Sequence, residues 1–228
     1  MALPAIELGL MVRIGLVLGK RIPLLLCLVR GGDTLRLPQA AKQQMRPQDV
    51  LIADRQVSIK HLDRAGISQF VVRAPIDLTA RPKAVAPYSG RGRHPKQGSI
   101  VRPLPRRYRG KTIASTEPNR REQFLYQGPT LQGEFWDELV VAGCALVFCC
   151  CVIRDPRYKA PWVLLTSLAV PGESLGRLYR DRWPIEQLPL WAKQITRAGT
   201  GTRVAVARLC IPRRVVIVCP SCACGREP

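Results

Sequence analysis

Four residues near the C-terminus have the chemical types needed to act on a phosphodiester. They are Tyr179, Arg182, Glu186 and Lys193, in the segment YRDRWPIEQLPLWAK. Their offsets of 0, 3, 7 and 14 follow the helical repeat, so an uninterrupted helix would carry them on one face. Its carboxylate could hold a divalent metal ion, and its cations could bind the strand being cut. The alternative is a solvated helix face with one ion pair.

The spacing of this quartet resembles the Y-R-E-K signature of insertion-sequence DDE transposases of the IS-four type. In that family the glutamate completes an Asp-Asp-Glu triad that binds metal, and the other three residues contact phosphates at the transposon ends. The resemblance implies that Glu186 is catalytic and a metal ligand, and that Tyr179, Arg182 and Lys193 bind DNA. It also implies Mg²⁺ or Mn²⁺ as cofactor, transposon ends and target DNA as partners, and a homodimer.

Two prolines interrupt the segment that carries this signature. Pro184 and Pro189 each remove a backbone hydrogen bond from a helix interior. Pro184 could instead begin a new helix. In that case Tyr179 and Glu186 need not share one straight face.

A second carboxylate follows a short apolar run. Val50 to Ala53 reads as a buried strand that ends on Asp54. Proteins of the α/β class commonly place ligands at the carboxyl ends of strands. The surrounding VLIADRQVSIKHL also resembles the family's second-aspartate motif, which implies that Asp54 is catalytic and a metal ligand. The alternative is a strand-end aspartate whose hydrogen bonds are satisfied locally.

The order of elements around Asp54 predicts an α/β fold. Residues 8–30 read as strands, 34–46 as a helix, HLDRAG as a helical turn that Gly66 stops, and QFVVRA as a buried strand. Residues 122–153 are also strand-like, PWVLLTSLAV reads as another buried strand, and GESLGRLYRDRW has a helical pattern. The resemblance implies a ribonuclease-H-like catalytic core with a β-rich basic insertion.

The first aspartate of the family triad has no match in this chain. It should lie on the first strand of the core, separated from the second aspartate by two strands and a helix. Asp33 precedes Asp54 by only 21 residues, too few for those elements, and Asp49 is closer still. We therefore expect that the first strand is missing and that this chain is a truncated, inactive copy.

The segment from 81 to 116 contains ten Lys or Arg residues and no acid. Phosphate contacts need many cations and little sequence specificity, so we interpret this segment as a clamp on the DNA backbone. The alternative is a solvated basic loop. The DNA-binding residues predicted here are Arg91, Arg93, Lys96, Arg106, Arg107, Arg109 and Lys111.

These features divide the chain into four regions. Residues 1–80 are the N-terminal part of the core, and residues 81–155 are the basic, partly β insertion. Residues 156–196 are the C-terminal part of the core with the glutamate helix, and residues 197–228 are an aberrant or disordered tail.

The net charge of +20 and the pI of about 10.4 favour a polyanionic partner, although ribosomal or membrane-surface proteins share such a charge. The apolar stretch from Leu139 to Ile153 has 15 residues, whereas a spanning helix needs roughly 20. We therefore expect no membrane partner and a location in the bacterial cytoplasm, associated with the nucleoid.

The nine cysteines do not suggest a disulfide framework, because their number is odd and Cys149, Cys150 and Cys151 are consecutive. Reduced thiols are the better interpretation. Cys219, Cys222 and Cys224 could bind zinc, but only Cys210 offers a fourth ligand. Two rival functions therefore stay open: a non-catalytic basic DNA-binding protein, and a zinc-stabilised nucleic-acid-binding module.

Overall fold

The computed structural model describes residues 7–17, 20–30, 35–85, 87, 90, 98–180 and 210–218. Within these ranges the chain forms a mixed α/β fold that is rich in strands, which confirms the predicted class. The helices are α1 (Arg36–Gln44), α2 (Ile59–Ala65) and α3 (Gly172–Arg180). The strands are β1 (Glu7–Val17), β2 (Lys20–Arg30), β3 (Val50–Ala53), β4 (Phe70–Arg73), β5 (Arg81–Pro82), β6 (Arg106–Tyr108), β7 (Lys111–Ile113), β8 (Arg120–Leu125), β9 (Thr130–Val140), β10 (Phe148–Arg154), β11 (Trp162–Thr166) and β12 (Cys210–Val218).

Ten of these strands form one mixed sheet in the order β2-β1-β12-β3-β4-β11-β10-β9-β5, with β8 paired to β9 beside that path. Strands β3 and β4 are parallel, whereas β4-β11, β11-β10, β10-β9 and β9-β8 are all antiparallel pairs. It follows that β3, β4, β10 and β8 point in the same direction. Their carboxyl ends meet at one edge of the sheet, which we call the carboxyl edge.

Helices cover both faces of this sheet. Leu37 of α1 and Leu62 of α2 pack with Leu51 and Phe70 in one apolar cluster. Leu175 of α3 belongs to the other cluster, which contains the alternate strand residues such as Ile52, Val71 and Leu164. Because side chains alternate along a strand, the two clusters lie on opposite faces. Each fully buried Leu contributes about 1.5–3 kcal/mol.

The short elements around Asp54 form where the sequence predicts them. All four residues of β3 are buried, and α1 lies inside the predicted 34–46 range. A capping box of Ser58 and His61 begins α2, and Gly66 ends it with φ of 68°. Strand β4 occurs within QFVVRA. Local capping and short apolar runs are sufficient to specify these elements.

Strand β12 was not expected from the sequence, which predicted no element in residues 197–228. Cys210–Val218 lies between β1 and β3, parallel to the former and antiparallel to the latter. Its run from Val215 to Val218 is β-branched throughout, which favours a strand. In this position β12 pairs with two strands that would otherwise have open edges.

Strands β8, β9 and β10 lie within the predicted insertion, residues 81–155, and they continue the main sheet. Strand β10 pairs with β11, which in turn pairs with β4. Phe135, Cys151 and Val152 are fully buried or nearly so, which explains why these strands join the apolar core. No helix in the described ranges is both long and apolar enough to cross a bilayer.

Candidate functional site

Asp54 lies directly after β3, at the carboxyl edge of the sheet. Its carboxylate Oδ1 accepts a hydrogen bond of 2.8 Å from the backbone N–H of Arg55. Its carbonyl accepts another of 3.0 Å from the N–H of Val57, which turns the chain towards α2. The residue is half-buried. Asp54 therefore occupies the strand-end position that the sequence predicted for a metal ligand.

Helix α3 runs towards the same edge. At its first residue, the N–H of Gly172 donates a 2.9 Å hydrogen bond to Glu122 near the start of β8. At its last described residue, the Arg180 guanidinium lies 5.9 Å from the ring of Tyr126 and is hydrogen-bonded to Gln127, both beyond the end of β8. Helix α3 is therefore parallel to β8 and β3, and Arg180 lies at the carboxyl edge with Asp54.

Tyr179 is buried in the apolar core, with 6% of the residue exposed. Its ring lies 6.1 Å from that of Trp162, centroid to centroid. Leu175, Leu178 and Tyr179 are three and four residues apart, so they share the helix face that packs on the sheet. A contact between Tyr179 and a DNA phosphate stays a prediction.

The other members of the signature lie outside the described residues. These are Arg182, Glu186 and Lys193, and the same is true of Arg91, Arg93 and Lys96 in the basic segment. The expected proximity of Asp54 and Glu186 therefore stays a prediction. Within the described ranges, no three His, Cys, Asp or Glu side chains are grouped so as to hold a metal ion. As a carboxylate, Asp54 suits Mg²⁺, which prefers oxygen ligands.

The remaining predicted cations lie on a hairpin formed by β6 and β7, which is separate from the main sheet. Arg109 and Gly110 form its turn with φ of 48° and 77°, which is the left-handed pair that a two-residue hairpin requires. The Arg109 guanidinium lies 5.3 Å from the centre of the Tyr108 ring. The exposed cations of the hairpin are Arg107, Arg109 and Lys111, while Arg106 is half-buried.

None of these four hairpin cations forms a salt bridge with an acid in the described part of the chain. Elsewhere in the described part of the chain, most ion-paired arginines bind an acid that is close in sequence, as Arg177 does with Glu173 at 2.7 Å. The hairpin therefore presents positive charge that the described part of the protein does not neutralise. Such a surface suits a phosphate backbone.

Asp155 is a strand-end acid that was not predicted from the sequence. It follows β10 at the carboxyl edge and is 4% exposed. Arg157 binds it twice, through Nη2 to Oδ2 at 2.7 Å and Nε to Oδ1 at 2.9 Å. These hydrogen bonds lower the pKa of the Asp155 carboxyl. The signal available in the sequence was an apolar run that ends in Arg-Asp-Pro, which is similar to the run before Asp54.

Asp49 lies at the opposite end of β3 from Asp54. Its carboxylate accepts hydrogen bonds from Arg13 Nη2 at 3.0 Å and from the backbone N–H of Arg46 at 2.9 Å. The side chain is 1% exposed. This ion pair joins β1 to the connection between α1 and β3, which is a structural role away from the carboxyl edge.

Four cysteines carry free thiols, in agreement with the reduced thiols that the sequence predicts. They are Cys144, Cys149, Cys150 and Cys151. The pKa of Cys149 is raised to about 12, mainly by burial and to a smaller extent by a hydrogen bond with Asp137. A thiol with so high a pKa is protonated at neutral pH and is a poor nucleophile. The predicted zinc ligands Cys219, Cys222 and Cys224 lie outside the described residues.

No protein-family model, curated protein or solved structure matches this chain.

Proposed function

We propose that this chain is a DNA transposase of the DDE type, with a ribonuclease-H-like core. The observation that carries the proposal is that Asp54 and the end of α3 lie at the same edge of the sheet. Glu186 follows Arg180 by six positions in the sequence. A chain that leaves α3 at this edge can bring Glu186 towards Asp54, because six residues span up to about 20 Å.

The arrangement of the core supports the proposed fold. Two strands and a helix precede the strand of Asp54, and these are the elements that the resemblance implies between the first and second aspartates. Helices pack on both faces of the sheet.

Asp54 and Glu186 would hold Mg²⁺ or Mn²⁺, which supplies charge stabilisation during displacement at phosphorus. Arg182 and Lys193 would bind the phosphates of the transposon end. Only two carboxylates of a three-carboxylate site are matched in this chain. We therefore expect weak metal binding and no joining of DNA ends, because a misplacement of about 1 Å can cost roughly 10²-fold in rate.

The proposal is tested by titrating the full chain with Mn²⁺ and following free Mn²⁺ by electron paramagnetic resonance. Asp54→Asn and Glu186→Gln should each weaken binding, and the double variant should be little worse than either single one because both serve one site. Asp77→Asn, which removes an exposed carboxylate elsewhere, is the matched control. Binding that is the same in all four variants would refute the shared site.

A non-catalytic DNA-binding protein is the second candidate, and the uncompensated cations of the β6–β7 hairpin favour it. This candidate and the transposase differ in their use of the carboxylates. A non-catalytic protein would have no Mn²⁺ site that depends on Asp54 and Glu186, yet it would bind DNA as well as the transposase does. The Mn²⁺ titration therefore separates the two.

A further inference from the structure

A cavity of about 370 Å³ opens where β9 and β10 meet the carboxyl edge. We call it the β10-edge cavity. Thr130 and Gln132 of β9 line one side, and Tyr158 and Lys159 of the loop after β10 line another. Its volume lies within the range of small-molecule sites. None of these four residues belongs to the predicted metal site or to the basic hairpin.

The β10-edge cavity has a positive charge that no described acid neutralises. Of the charged side chains that line it, Asp155 is bound by Arg157, and Arg154 lies 3.1 Å from Glu134. Lys159 is exposed and forms no salt bridge with a described acid. An anionic group in the cavity would therefore find an ammonium without a competing carboxylate.

Tyr158 adds an aromatic surface to this cavity. Its residue is 56% exposed, although the centre of its ring is only 6.0 Å from that of Trp162. The Tyr158 N–H donates a 3.0 Å hydrogen bond to the carbonyl of Asp155, which fixes the loop. A ring that is held on one side and open on the other suits stacking against a base.

We propose that the β10-edge cavity binds one nucleotide of a DNA strand. Lys159 binds a phosphate, Tyr158 stacks on the base, and Thr130 and Gln132 offer hydrogen bonds. The inference rests on the proposed function for the choice of DNA as the polymer. Three strand positions separate β10 from β3, or about 14 Å at the usual spacing. A DNA strand that reaches Asp54 would therefore pass the cavity within a few nucleotides.

The test measures binding of a short single-stranded oligodeoxynucleotide to the full chain by fluorescence anisotropy, with EDTA present so that no metal contributes. Tyr158→Leu should weaken binding by at least about fivefold, whereas Tyr158→Phe, which keeps the ring, should not. Lys159→Gln should lower the slope of log K against log salt by about 0.7. Lys60→Gln on α2 is the matched charge control, and thermal melts verify that each variant is folded.

Equal losses in Tyr158→Leu and Tyr158→Phe, or in Lys159→Gln and Lys60→Gln, would overturn the inference. Competition by deoxyadenosine monophosphate as strong as that by the oligonucleotide would assign the cavity to free nucleotides and overturn the assignment to a strand. The Mn²⁺ titration is independent of these readouts. If Mn²⁺ binding did not depend on Asp54 and Glu186 while the Tyr158 and Lys159 variants still weakened DNA binding, the transposase proposal would be refuted. The proposed nucleotide site would still be supported.

Discussion

Two aspartates follow buried strands at the carboxyl edge, and they differ in how deeply they are buried. Asp155 is held by the guanidinium and the backbone N–H of Arg157, so its charge is already compensated. Asp54 is half-buried, and its carboxylate accepts a hydrogen bond from the N–H of Arg55. Asp155 is only 4% exposed, so a metal ion has less access to it than to Asp54. Access from solvent therefore favours Asp54 as the ligand of the proposed metal site and Asp155 as a structural anchor.

We predict that Asp155→Asn lowers the free energy of unfolding by about 1–2 kcal/mol at neutral pH, since a charged hydrogen bond is removed and solvent screens its exposed partner. Arg157 lowers the pKa of Asp155 in the folded state, below the usual value of about 3.9. Its contribution is therefore complete above that value and is lost as the pH falls through the folded-state pKa. Urea unfolding at a series of pH values measures this.

The difference between wild type and Asp155→Asn should accordingly shrink as the pH falls below about 4. Asp77→Asn, at an exposed position, serves as the control and should show little difference at any pH. A difference for Asp155→Asn that stays constant down to about pH 2 would contradict the ion pair as its cause.

The burial of Tyr179 illustrates what spacing alone can and cannot predict at the level of single residues. Its spacing to Arg182 and Glu186 groups it with polar residues, whereas its spacing to Leu175 and Leu178 groups it with the apolar face. Both patterns fit a helix. Packing on the sheet decides between them, because burying an aromatic ring removes a large apolar surface from water. The sequence contains both patterns, so spacing alone does not decide which face of the helix Tyr179 occupies.

At the scale of elements, predictability follows the range of the interactions that form each element. Strand β3, helix α2 and strand β4 depend on apolar runs and caps within a few residues, and they were predicted from those signals. The place of β12 depends on pairing with β1 and β3, which lie about 160–210 positions earlier in the sequence. No local pattern encodes such a pairing.

We predict that Val216→Pro lowers the free energy of unfolding by about 3 kcal/mol or more, because proline removes a donor from a strand with neighbours on both sides. Val216 pairs with Val12 of β1 and with Ile52 of β3. Urea unfolding followed by circular dichroism measures the change. Val216→Ile keeps a β-branched side chain and should leave the midpoint nearly unchanged. Equal midpoints for the two variants would show that β12 does not complete the sheet.

At the scale of the whole molecule, charge and topology make separate contributions to function. The net charge of +20 attracts any polyanion, so it predicts association without predicting where the polyanion lies. The fold gathers Asp54, the end of α3 and the β10-edge cavity at one edge of the sheet, and it presents the β6–β7 hairpin separately. General charge and local placement can therefore be tested against each other.

We predict that the protein binds duplex DNA with little sequence preference. We also predict that the β6–β7 hairpin contributes more to this binding than an equal number of exposed cations elsewhere. The double variant Arg107→Gln and Arg109→Gln should lower the slope of log K against log salt by about 0.9 for each phosphate that the protein no longer neutralises, measured between roughly 50 and 200 mM salt.

The matched control is Lys60→Gln with Arg64→Gln, which removes two exposed charges from α2. Both double variants have the same net charge, so unspecific attraction would change the two slopes equally. A larger change in the hairpin variant is expected, because only fixed contacts release counterions at the bound phosphates. Equal slopes in the two variants, or binding indifferent to salt, would refute a backbone contact at the hairpin.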